Sequence, residues 1–112
     1  MTTKAKKRSA RRGQVDALPF IEQLVGGRIT LGALMEAIRQ GEEATQTAFA
    51  AKLGVTRSHL CDIEKGRKVV SPERAARFAS LLGYSSDQFV RLALQDAIDH
   101  AGLRYSVEVT AA

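Results

Sequence analysis

Thr45-Gln46-Thr47-Ala48-Phe49-Ala50-Ala51-Lys52-Leu53-Gly54-Val55-Thr56-Arg57-Ser58-His59-Leu60-Cys61-Asp62-Ile63-Glu64-Lys65-Gly66 is the stretch whose reading decides the fold. It divides into two short helices around a glycine turn. Thr45 and Thr56 each stand just before a helical run, and each carries the side-chain oxygen with which an N-cap accepts a free backbone N–H. Phe49, Ala50 and Leu53 fall on the inner side of the first helix, and Leu60 and Ile63 on that of the second. The helices meet at a steep angle, so the small Ala50 lets the second pack close. Gly54 allows the positive φ of the turn, and Val55 fills the corner.

With about 100° of rotation per residue, Leu60 and Ile63 fix the inward direction of the second helix. The opposite direction holds Ser58, Cys61, Asp62 and Lys65, flanked by Arg57 and His59. An exposed helix whose first turn bears Arg, Ser and His suits insertion into a DNA major groove. There Arg57 can chelate a guanine edge, Ser58 can bond either partner and Asp62 can accept from a cytosine amine, with His59 beside them. The N-terminus of the preceding helix is expected on the sugar–phosphate backbone, with Gln46 at a phosphate. Thr56 and Lys65 join it there, and Arg67 and Lys68, just past Gly66, form a second phosphate clamp.

The pattern Gln46, Ala50, Gly54-Val55-Thr56 and Ile63-Glu64-Lys65-Gly66 resembles the helix-turn-helix of the Cro and lambdoid phage-repressor class (the XRE family). The resemblance runs from about Leu31 to Phe89. It implies a lambda-repressor-like DNA-binding domain in which Gln46 contacts a phosphate and Arg57, Ser58 and Asp62 face base edges. It also implies a buried ion pair between Arg39 and Glu64, which makes Glu64 structural although it sits on the reading helix. Asp62 departs from the commoner neutral or basic choices of the class. It repels phosphate, and either tunes specificity or holds Arg57 and His59 in place.

Working outward, Pro19 opens a short helix with Phe20, Ile21, Leu24 and Val25, ended by Gly26-Gly27. Thr30 caps a helix whose Leu31, Leu34, Met35 and Ile38 keep the i, i+3, i+4, i+7 spacing, and Gly41 stops it. Ser71-Pro72 reads as an N-cap followed by proline at the first helical position. That helix carries Ala75, Phe78, Ala79 and Leu82 and closes at Gly83. Ser85 or Ser86 caps a longer helix to about Ala101, with Phe89, Ala93, Ala97, Ile98 and Ala101 along one side. Leu92 lies off that stripe and is assigned to a dimer surface. From Leu103 to Val109 the period changes to alternation, with Tyr105, Val107 and Val109 on one face.

The fold class is therefore all-α, with five to six helices and one C-terminal β-strand. A lone strand is unstable, and its simplest partner is a second copy across a twofold axis. Tyr105, Val107 and Val109 then join Leu92 as dimerisation residues. A homodimer also suits DNA, because paired reading helices span successive major grooves about 34–36 Å apart. The organisation is a basic tail over 1–15, the DNA-binding domain over 16–101 and the dimerisation segment over 102–112. A compact regulator with these two ends is also similar to antitoxins of toxin–antitoxin pairs, which bind their own promoter and neutralise a toxin. That alternative partner stays open.

The net charge of +5 is unevenly placed. Residues 1–14 hold Lys4, Lys6, Lys7, Arg8, Arg11 and Arg12 and no acid, a charge of +6, so the other 98 residues hold 11 bases and 12 acids, or −1. Within residues 45–78, Lys52, Arg57, Lys65, Arg67, Lys68, Arg74 and Arg77 outnumber Asp62, Glu64 and Glu73, a local +4. Basic foci of this kind attract polyphosphate by counterion release. The tail is either a minor-groove arm or a toxin-wrapping segment.

The same residues argue against other classes. Ser58, His59 and Asp62 are triad residue types, but neighbours on one helix cannot form the required line of nucleophile, base and acid, so no enzyme is expected. His59 and His100 are too isolated for a metal site, and one cysteine, Cys61, supports neither an internal disulfide nor a cysteine-based zinc site. No cofactor is implied. No apolar run approaches the roughly 18 residues of a membrane span. A bacterial cytoplasmic, nucleoid-associated location follows as the expectation.

Overall fold

The computed structural model describes residues 29–112. The basic tail over 1–15, the boundary at 16 and the helix expected after Pro19 lie outside the described residues. Five helices follow in chain order: α1 Leu31–Gly41, α2 Gln46–Leu53, α3 Arg57–Glu64, α4 Pro72–Leu82 and α5 Ser86–His100. Each begins at a hydroxyl cap. Thr30, Thr45, Thr56, Ser71 and Ser85 accept from the backbone N–H of Ala33, Ala48, His59, Arg74 and Gln88. Pro72 follows the Ser71 cap, where its missing N–H costs nothing. The turn between α2 and α3 closes at Gly54, whose φ is 75°, and Val55 N–H reaches back to Ala50 O at 3.0 Å.

One core joins all five helices. Leu31, Leu34, Met35 and Ile38 of α1, Phe49, Ala50 and Leu53 of α2, and Leu60 and Ile63 of α3 are buried together with Ala75, Phe78, Ala79 and Leu82 of α4 and Phe89, Leu92 and Ala93 of α5. α4 packs along α5, while α3 is held between α1 and α2. α1 meets α3 in backbone contact. A Cβ added to Gly32 would lie 1.9 Å from the carbonyl oxygen of Ile63. Only a hydrogen on that Cα lets the first turn of α1 meet the last turn of α3.

The inward stripe of α5 differs from the sequence reading. Leu92 is 1% exposed and belongs to the chain's own core, so it offers no dimer surface. Ala97 and Ala101 are exposed instead. The inward arc runs Phe89, Leu92, Ala93 and Asp96, the same i, i+3, i+4, i+7 spacing set one residue round. Its last member is polar, which hides it from an apolar pattern. Asp96 Oδ2 accepts from Leu31 N–H at 3.0 Å and so provides a carboxyl at the start of α1.

Residues 103–112 form no strand. A strand is defined by its ladder, and one chain supplies no second strand here. The Gln95 side chain, 2% exposed, takes the place of one. Its Nε2 donates to Tyr105 O at 2.8 Å and to Asp99 Oδ1 at 2.9 Å, and its Oε1 accepts from Val107 N–H at 2.9 Å. Val107 and Val109 are half-buried, whereas Tyr105 remains 66% exposed.

Gly32→Ala must push α1 away from α3 and is expected to cost about 3 kcal/mol, the upper part of the usual overpacking range; denaturant unfolding of the two proteins gives the value. At Asp96, burial raises the carboxyl above its ordinary range, the Leu31 N–H bond opposes this, and Asp99 adds to the rise. A folded pKa above the unfolded one means tighter proton binding in the native state. The resulting stability is present at acid pH and is lost as pH climbs through the raised value. Asp96→Asn keeps an oxygen for Leu31, so its stability relative to the parent is expected to improve from pH 4 toward neutrality, read as urea midpoints.

Candidate nucleic-acid interface

Helix α3 is anchored by a buried cation–anion pair. Arg39, near the end of α1, meets Glu64, the last residue of α3. Arg39 Nε lies 2.8 Å from Glu64 Oε2, and Nη2 donates to Oε1 at 3.1 Å. The side chain of Glu64 is 2% exposed and that of Arg39 14%. Nη1 donates to Ala44 O at 3.0 Å, so the same guanidinium ties down the loop ahead of α2. The hydrogen bond to Glu64 is the main reason that Arg39 binds its proton more tightly than an ordinary arginine.

Gln46, the first residue of α2, extends this pair to the surface. Its Nε2 donates to Glu64 Oε1 at 3.0 Å, and its Oε1 accepts from Arg57 Nη1 at 3.3 Å. One amide hydrogen is left over for an outside acceptor. Arg57 and Ser58 are exposed on the first turn of α3, and His59 is half-buried beside them. Thr56 Oγ1 accepts from His59 N–H at 3.0 Å, which leaves its own O–H as a donor.

Asp62 does not hold Arg57 or His59. Its Oδ1 accepts from Arg67 Nε at 2.9 Å, and Arg67 Nη2 also reaches Cys61 Sγ at 3.7 Å. The backbone explains the partner, because Arg67 N–H donates to Asp62 O at 2.8 Å and folds the loop after α3 back over it. The hydrogen bond to Asp62 raises the pKa of Arg67. Arg67 is exposed at the surface, where an ion pair adds little, so its guanidinium stays available to an outside anion. Lys65 and Lys68 are exposed on the same loop.

Arg74, counted above only as part of the basic focus, sits against the reading helix. Its Nη1 lies 3.4 Å from His59 Nε2. Ser71, Glu73, Arg74 and Arg77 line a shallow depression at the start of α4. The signal in the sequence is the short link from Gly66 to the Ser71-Pro72 cap, which keeps the first turn of α4 within reach of α3.

The helix N-termini differ in charge. α4 carries Glu73 and α5 carries Asp87 in the first turn, and Asp96 supplies the carboxyl for α1. The first turns of α2 and α3 hold no acid. These two N-termini, with their positive partial charge, are the ones flanked by Gln46 and Arg57. Among the described residues no cluster of His, Cys, Asp and Glu could hold a metal ion, and no helix is long and apolar enough to cross a membrane.

The profile of a family described as "Helix-turn-helix domain" matches residues 30–92. The chain belongs to this helix-turn-helix family. Over 52 residues it is 40% identical to the ImmF control region 10 kDa protein of Bacillus phage phi105, an alignment covering 46% of this chain and 58% of that protein. The chain thus spans a little over half of that relative's length. No solved structure matches it.

Arg39→Ala would leave the Glu64 carboxylate buried without its cation, and breaking a buried pair from one side costs about 3–5 kcal/mol. A second change, Glu64→Leu, is expected to recover much of that loss. Chemical denaturation of the two single variants and the double variant measures the coupling.

Proposed function

We propose that this chain is a sequence-specific DNA-binding transcription regulator, a repressor, that grips a palindromic operator as a homodimer. The observation that carries this reading is the arrangement around α2 and α3. Their two N-termini lack acids and carry Gln46, Arg57 and Ser58, Arg74 reaches His59 on the first turn of α3, and Lys65, Arg67 and Lys68 are exposed on the loop that leaves α3. An exposed arginine at a helix N-terminus opposes the helix dipole, and among the described residues Arg57 has only a long hydrogen bond to Gln46 to offset this. It gains a role once an electronegative guanine edge replaces solvent. The helix-turn-helix family and the similarity to a phage control-region protein support the same reading.

Arg57 and Ser58 specify, with His59 between them and with the oxygen of Asp62 that Arg67 does not take. Gln46, Thr56, Lys65, Arg67 and Lys68 position the protein on phosphates. On this reading the protein works on the nucleoid in a bacterial cytoplasm. The antitoxin alternative adds a toxin as a further partner to the same DNA-binding domain, and the phage control-region relative favours the regulator.

The roles separate experimentally once random-sequence selection has yielded an operator. Arg57→Ala is expected to weaken operator binding by about 1–3 kcal/mol while sparing non-specific DNA. Lys68→Ala should weaken both alike and lower the salt slope by about one unit. Equal loss on every sequence for Arg57→Ala would remove it from the base-reading set.

A further inference from the structure

The inference concerns the C-terminal segment and rests on the dimer reading above. Tyr105 O and Val107 N–H both point at Gln95. A carbonyl at one residue and an N–H two residues on, turned to the same side, is what an extended chain offers to a neighbour. The intervening groups then point the other way. Arg104, Ser106, Glu108 and Thr110 have no backbone hydrogen bond among the described residues, and all are exposed. Helix α5 and Gln95 therefore hold one edge of the segment and leave the other open.

An open edge pairs with whatever strand fits it. The residues along this one are complementary to themselves about Ser106. One step out, Tyr105 faces Val107; two steps out, Arg104 faces Glu108; three steps out, Leu103 faces Val109. We propose that two copies of this chain join through this edge as an antiparallel pair whose twofold axis passes through Ser106. Ser106 of each copy bonds the other's Ser106, and Arg104 of each copy lies opposite Glu108 of the second copy.

This register satisfies three independent requirements. The hydrogen-bonded positions are the even-numbered ones, which are those turned away from Gln95. The charged positions meet as two Arg–Glu pairs, while neither Arg104 nor Glu108 has an ion-pair partner within its own chain among the described residues. The odd-numbered side chains share one face, so Tyr105 packs on Val107 of the second copy, an aromatic on a β-branched residue. Leu103 and Tyr105, 52% and 66% exposed in the single chain, are thereby covered. Moving the axis to Val107 keeps the alternation but sets Glu108 opposite Ser106 and Arg104 opposite Thr110, and both ion pairs vanish.

The full chain serves for the test. Arg104→Glu and Glu108→Arg each set like charges opposite one another twice, and each is expected to raise the dimer dissociation constant about tenfold in analytical ultracentrifugation. The double variant R104E/E108R restores opposite charges and returns the constant close to that of the parent. Helical circular dichroism stays unchanged, because both side chains are exposed. In a Cys61→Ser background, Ser106→Cys forms a disulfide-linked dimer under mild oxidation and Thr110→Cys does not. A dimer in which the double variant is as weak as the single ones, or in which the cross-link favours residue 110, overturns the register and leaves the dimer reading standing. A parent protein that stays monomeric on its operator and well above operator-saturating concentrations overturns both.

Discussion

The contact between Arg39 and Glu64 is the constraint on which the rest of the interface depends. It joins the end of α1 to the end of α3 across the short α2, and through Ala44 and Gln46 it reaches the loop before α2 and the start of that helix. A buried pair of this kind adds little net stability over a well-packed apolar pair. What it supplies is orientation. A carboxylate with two oxygens and a planar guanidinium meet in one geometry, whereas two leucines would pack in several. With Glu64 fixed, the amide of Gln46 has one sensible direction, and its carbonyl is then presented to Arg57. A chain of polar contacts thus leads from a buried charge to the exposed arginine that opens the reading helix.

Gly32 fixes a second point between the same two helices. α1 and α3 approach within backbone contact at this point, and Ile63 O occupies the space where any other residue would place its Cβ. The sequence shows Gly32 as one more small residue near the start of a helix. Its necessity comes from a neighbour 31 positions away, which no local pattern contains. Glu64 is similar: as a charged residue on a short exposed helix it reads as solvated, and only the family pattern pointed to its burial with Arg39.

Local signals, by contrast, were sufficient for the helices. Hydroxyl caps at Thr30, Thr45, Thr56, Ser71 and Ser85 act within one turn, so each is visible in the sequence and each is made in the structure. The failures came where a polar residue does a buried job. Asp96 ends the inward arc of α5 by serving the N-terminus of α1. Gln95 is buried because it stands in for a strand. A stripe drawn through apolar residues alone slid away from both, and so placed Leu92 outside the core. Of the two roles open to Asp62, holding Arg57 and His59 is not seen, since its partner Arg67 is brought to it by a loop rather than by helical spacing.

Asp96, which the apolar pattern missed, also belongs to the way charge is arranged over the helix N-termini. Every helix N-terminus carries positive partial charge that some negative group can satisfy. Asp96 does this for α1 from a distant helix, and Glu73 and Asp87 do it locally for α4 and α5. α2 and α3 are left without an acid, and Glu64, the carboxylate nearest to them through Gln46, is neutralised by Arg39. Had Glu64 been unpaired, its charge would have lain one side chain from the proposed phosphate contact at Gln46 and would have repelled the phosphate. The buried pair therefore does two things at once: it sets the angle of α3, and it cancels the negative charge that Gln46 touches.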